Sequence, residues 1–266
     1  MGAVSRRGWI TVGAVAWAVV LLVAGTYAAR HSKPTVIEQT TIVEALPTLD
    51  RAVAAVVQAA AGPRVVVSVG GYERTSDRCE AGNRDGERYQ RVATVYTAPG
   101  EEPALLDRIG AALPRSYKPT VRHSRALHGL RADACFYVRL VGGLDAPGEL
   151  RFTADSGCRV PGGTVPHAQP STSPPATTDV LDRLGVGTEQ ATQSTSFAVL
   201  CASGKELDAI TVTAPRPSWP LAAALPEGVA PIIARADLVV YAQGALGVTA
   251  RLRAEDLQVT ATTGCQ

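Results

Sequence analysis

The chain has 266 residues, 46% of them apolar and 19% charged, a balance that excludes an intrinsically disordered protein. Its 26 basic residues stand against 24 acidic ones, and a formal charge of only +2 gives no electrostatic case for nucleic-acid binding. The length accommodates one large domain or two ordinary ones.

Residues 9–29, from Trp9 to Ala29, carry no charge. Twenty-one residues at about 1.5 Å each reach about 31 Å, which matches the hydrocarbon core of a bilayer. Trp9 and Tyr27 stand near the two ends, where amphipathic rings favour the membrane interface. Arg6 and Arg7 before the segment balance Arg30 and Lys33 after it, so basic residues alone give no orientation. With only residues 1–8 ahead of it, the segment places everything that can fold on its far side. The expectation is a short cytoplasmic tail at 1–8, a single transmembrane helix at 9–29 and a juxtamembrane stretch at 30–47. A cleaved signal peptide would have a shorter apolar region, although Thr26-Tyr27-Ala28 offers a cleavage site. The paired arginines also resemble a twin-arginine export signal. A buried core helix would need a polar face, which this segment lacks.

Residues 161–178 contain five prolines with several Ser and Thr and no charge, which reads as a linker. It separates a first unit at 48–160 from a second at 179–266. The two read as copies. Glu149–Cys158 resembles Asp256–Cys265, and Arg131-Ala-Asp resembles Arg235-Ala-Asp. Ala111-Ala-Leu-Pro114 matches Ala223-Ala-Leu-Pro226, and Leu49-Asp-Arg51 matches Leu181-Asp-Arg183, all in the same order.

The spacing predicts a helix in the first unit, capped by Thr48 and stopped by Gly62-Pro63, with Leu49, Val53, Val56, Val57 and Ala60 on one face. Alternation at Val65, Val67 and Val69 then predicts a strand, a charged loop covers 73–87, and a strand covers 89–97. A second helix, lined by Leu105, Leu106, Ile109, Ala112 and Leu113, stops at Pro114; strands follow near 119–123, 133–141 and 149–155. In the second unit the expectation is helices near 179–184 and 219–225. Its strands fall near 195–202, 207–213, 230–234, 237–243, 247–253 and 256–262. The fold class is therefore α+β: two related domains, each a mainly antiparallel sheet with one or two packed helices.

Five cysteines lie beyond the apolar segment, where oxidation is permitted. The repeat pairs Cys79 with Cys158 and Cys201 with Cys265, each tying a first strand to a last one. Cys135 falls in an expected strand and reads as a buried small hydrophobe.

No catalytic or cofactor motif emerges, and no cofactor or metal is expected. Asp155-Ser156-Gly157 resembles the aspartic-protease signature, but the second unit has Thr262-Thr263-Gly264 at the matching place, so a carboxylate dyad fails. The segment reads as a polar turn. His123 and His128 have no metal-ligand spacing with Cys135 and read as surface histidines. The segment Arg115, Lys118, Arg122, Arg125 and Arg131, free of acids, is a candidate site for an anionic polymer, lipid headgroup or acidic envelope protein. These features suggest a non-catalytic interaction or scaffold protein of the bacterial cell envelope. The alternative is an exported hydrolase whose site is assembled from distant residues.

Overall fold

The computed structural model describes residues 6–31, 40–75, 78–82, 84–125, 127–191, 193–201 and 204–264. Helix α1 spans Arg6–His31. Among the described residues no helix is long and apolar enough to cross a membrane. The transmembrane helix expected at 9–29 falls within α1.

Helix α2 spans Ile42–Ala60, its cap Thr41 seven residues earlier than the Thr48 cap that the sequence suggests. The difference comes from a capping box. The Thr41 hydroxyl accepts from the Glu44 N–H, and the Glu44 carboxylate in turn accepts from the Thr41 N–H at 2.7 Å. Pro47 sits inside the helix, and Thr48 is 2% exposed, its hydroxyl accepting from the Arg51 guanidinium at 2.9 Å.

Both units are α+β with antiparallel sheets. In the first, β1 (Val66–Arg74), β4 (Tyr89–Tyr96), β5 (Thr120–His123), β6 (His128–Asp133), β7 (Arg139–Ala146) and β8 (Glu149–Asp155) form one sheet in the order β1-β4-β8-β7-β6-β5. A small hairpin of β2 (Cys79–Ala81) and β3 (Arg84–Gly86) fills the loop between β1 and β4. Helix α3 (Glu102–Ala112) packs beside α2 on one face of this sheet, burying Leu106, Ile109, Leu130, Leu140 and Phe152.

In the second, β9 (Gln169–Pro170), β10 (Gln193–Leu200), β11 (Glu206–Pro215), β12 (Ile233–Ala234), β13 (Leu238–Gln243), β14 (Leu246–Arg253) and β15 (Asp256–Thr263) are ordered β12-β13-β14-β15-β11-β10-β9. Setting β9 aside, β10, β11, β15, β14, β13 and β12 follow the same connectivity as β1, β4, β8, β7, β6 and β5. Helix α4 (Pro175–Arg183) precedes β10 as α2 precedes β1. A one-turn helix at Leu221–Ala224 takes the place of α3, and both cover one face of the second sheet. Of the sequence matches, Glu149 and Asp256 each open the last strand of their sheet, whereas Leu49–Arg51 lies in the middle of α2 and Leu181–Arg183 at the end of α4. The Arg131 and Arg235 triplets also differ in place: Arg131 lies within β6, whereas Arg235 precedes β13.

The strand expected at 133–141 is a hairpin instead. β6 ends at Asp133, Cys135, Phe136 and Tyr137 all take left-handed φ angles of 68°, 46° and 59°, and β7 begins at Arg139. Cys135 is therefore an exposed free thiol at a turn, not a buried strand residue. The Ala134 N–H donates to the Val138 carbonyl at 2.8 Å and closes the turn, with Phe136 and Tyr137 exposed beside Cys135 at its tip. The proline-rich stretch from 161 is laid along the body: Val165 is buried, β9 pairs with β10, and α4 begins at Pro175.

The second sheet's other face meets the first unit. Val199, Leu207 and Ala209 join the core around α2, while Val66 and Tyr96 pack with Ile233, Leu238 and Val240. Polar clamps cross the same boundary. Arg91, 4% exposed, donates to the Gly70 carbonyl at 3.1 Å, to the Ala198 carbonyl at 2.7 Å and to Asp50, with its guanidinium 5.1 Å from the Tyr72 ring centroid. The Tyr72 hydroxyl donates to the same Asp50 carboxylate, and burial followed by that hydrogen bond pushes its pKa upward.

Candidate functional site

The face of the first sheet opposite α2 and α3 is where the chain gathers arginine. Side chains alternate along each strand, so strand register decides which residues become neighbours there. One row runs Arg122–Gly129–Gly143–Arg151–Thr94 across five strands. The row beside it runs Thr120–Arg131–Val141–Thr153. Two glycines opposite one another leave bare backbone between Arg122 and Arg151, whose strands are three apart and so separated by about 14 Å. The result is a trough of about 580 Å³ with a glycine floor.

Gly143 stands on this floor for a steric reason. A Cβ there would lie 2.9 Å from the His128 carbonyl oxygen. Gly129 is under no such restraint, since the nearest atom to its Cβ would be 3.6 Å away. Exposed Leu127, Val141 and Leu144 supply apolar walls, and Asp145 is the one carboxylate in the lining. Arg122, Arg131 and Arg151 make no ion pair or hydrogen bond among the described residues.

The expected basic segment is thus divided. Arg122 and Arg131 line the trough, whereas Arg115 sits in a one-turn helix at 115–117, Lys118 follows it with a left-handed φ of 49°, and Arg125 lies in the β5–β6 turn, all three exposed and outside the lining. Arg151 replaces them. It has no place in the sequence run, and only the pairing of Gly143 with Arg151 brings it there.

At the rim, His123 and His128 face each other with their Nδ1 atoms 2.7 Å apart, and His123 Nε2 is 2.9 Å from Asp107. Neither ring bonds to a serine, threonine or cysteine among the described residues, and no group of three potential metal ligands comes together there. The Asp155-Ser156-Gly157 turn is committed to structure. Burial would raise the Asp155 carboxyl, but Arg88 and the Gly157 N–H outweigh it and hold the group below the usual carboxylate range. Ser156 is fully buried, accepting from the Tyr89 N–H at 3.0 Å and donating to the Gly157 carbonyl at 2.7 Å.

Cys79 and Cys158 form a disulfide with their Cα atoms 5.9 Å apart, which joins the β2–β3 hairpin to the end of β8. Cys201 is buried and disulfide-bonded; Cys265, its expected partner, lies outside the described residues. Comparison with known proteins returns no matching family model, no matching curated protein and no matching solved structure.

Proposed function

We propose that this chain is a non-catalytic binding or scaffold module of a bacterial cell envelope, held at a membrane by α1 with its sheet units outside the cytoplasm. Its ligand on this reading is an anionic polymer lying in the trough. The observation that carries the reading is the set of unpaired arginines Arg122, Arg131 and Arg151 around a floor of bare glycine backbone. Like charges placed together repel, and guanidinium forks match phosphate or carboxylate oxygens in pairs. An extended anion offsets that repulsion, and the absence of side chains on the floor lets it lie close to the sheet.

Two further features support the location. The described apolar side chains of α1, among them Trp17, Leu21 and Leu22, are exposed, as those of a helix facing lipid would be. The Cys79–Cys158 bridge is consistent with an oxidising compartment. The common connectivity of the two sheets supports descent of both units from one duplicated ancestor.

Titration of the full chain in detergent micelles with a poly(glycerol phosphate) tests the ligand, with neutral dextran as the control. Binding should fall with rising salt, and each of Arg122→Gln, Arg131→Gln and Arg151→Gln should weaken it about tenfold. Equal binding of dextran, or unchanged affinity in the triple variant, removes the reading. Protease added to intact protoplasts tests the location, and survival of the second unit would place it on the other side.

A further inference from the structure

A second cavity, of about 380 Å³, lies where the two sheets face each other. Facing sheets normally close by interdigitating apolar side chains at a separation of about 10 Å. Here they do not. The second sheet presents a ladder of threonines, Thr249–Thr260–Thr211–Thr195, one from each of four adjacent strands. The first sheet answers with Ser68, Gly70 and Thr94, which are too small or too polar to close the gap along the ladder, while the Phe197 ring packs on Gly71 at one side of it. Apolar packing seals both ends, with Val199 and Leu207 against the α2 core and Val66 against Ile233 and Val240. The opening is therefore built into a rigid junction.

We propose that this cleft binds a sugar carrying an acidic group, a site beside the trough that shares Arg151 with it and is otherwise lined by different residues. Three observations support this. The ladder sets one hydroxyl on each of four adjacent strands, so several hydroxyls of a single polyol ligand can be met at once. Thr249 is 4% exposed and its hydroxyl has no hydrogen-bond partner among the described residues, although it lines the cleft. Its hydroxyl opens onto the cleft instead of being sealed within the protein, so a ligand hydroxyl can bond to it directly. By contrast, Thr211 and Thr260 already share a hydrogen bond at 2.8 Å and present one remaining position each.

The charge of the lining selects an anion. Arg151, Arg251 and Arg253 stand against Glu73 alone in the wall. Arg251 is neutralised from behind by Glu149, and Arg253 donates to the Gln258 side chain at 3.0 Å, which keeps its guanidinium beside the ladder. The volume lies within the range of small-molecule sites. A carboxylate or a phosphate on the sugar fits this lining equally, and the experiment separates them.

The test is calorimetric titration of the full chain in micelles with glucuronate, glucose 6-phosphate, glucose and inorganic phosphate. At least one sugar anion should bind about tenfold more tightly than both glucose and inorganic phosphate, and the tighter of the two identifies the acidic group. Thr249→Val, which preserves shape, and Arg253→Gln, at an exposed position, should each weaken it about tenfold with an unchanged melting temperature. Arg122→Gln and Arg131→Gln should leave it unaltered, since neither residue lines the cleft. Absence of binding by both sugar anions, equal binding of glucose, or unchanged affinity in the Thr249 and Arg253 variants overturns the proposal.

Discussion

The carboxylate of Glu149, at the start of β8 in the first unit, is held by the guanidinium of Arg251 on β14 of the second. Arg235 takes the other carboxylate oxygen, so one buried acid with 1% of its side chain exposed is shared between two arginines across the boundary. Breaking a buried ion pair by deleting one partner leaves charge without compensation. Glu149→Ala should therefore cost about 3–5 kcal/mol in thermal or urea denaturation. Unfolding should also split into two transitions as the units lose their coupling. A single transition at the parent temperature would show that the clamp adds nothing.

The Cys79–Cys158 bridge closes a loop with a sequence separation of 79 residues. Chain-entropy reasoning gives it roughly 4 kcal/mol. Cys79→Ala should lower the melting temperature by many degrees, whereas Cys135→Ser, at an exposed free thiol, should leave it within a degree or two of the parent. Peptide mapping without reduction should recover Cys135 unpaired.

Asp155 gives the acid limb. Its carboxyl is held below the usual range in the folded chain, so the stability it contributes is present above the unfolded value of about 3.9 and is lost as pH falls through the folded value. Asp155→Asn should reduce stability at neutral pH by removing the partner of Arg88, and should flatten the decline below about pH 4. An unchanged acid limb in chemical denaturation would assign it to other carboxylates.

The glycine floor gives a prediction that separates binding from folding. A side chain at Gly129 meets only ordinary contact, and a glycine in a strand interior is itself unfavourable by about 0.5–1 kcal/mol. Gly129→Val should therefore leave the melting temperature equal or slightly higher while weakening poly(glycerol phosphate) binding by filling the trough. Gly142→Val should instead destabilise the fold, since its Cβ would fall 2.2 Å from the Phe152 ring.

Local chemistry in the sequence announces elements better than it announces neighbours. The strands expected from the valines at 65–69, at 89–97 and at 149–155, and the helix expected to stop at Pro114, lie close to β1, β4, β8 and α3, although β1 runs on to Arg74 through the start of the expected charged loop. The Thr41–Glu44 capping box is equally local and lies upstream of the Thr48 cap that the sequence suggests. The turn at Cys135 could not be read, because Phe136 and Tyr137 are residues that favour strands and carry no turn signal. The trough was half legible. Arg122 and Arg131 stood in a visible basic run, but Arg151 joins them through strand pairing, which is a property of register and not of proximity in the chain. The threonine ladder was invisible for the same reason, its members being scattered from 195 to 260.

The capping box of α2 has a consequence for reach. Thr41 pairs with Val160, and the Ile42 N–H donates to the Val160 carbonyl at 2.9 Å, so the body begins firmly at that point. Nine peptide steps separate Thr40 from His31, the last residue of α1, and even a fully extended chain of that length covers only about 30 Å. A body on so short a leash sweeps a shell no deeper than its own diameter. On the anchored reading, the trough meets polymer that grows close to the bilayer and never touches the outer layers of the wall.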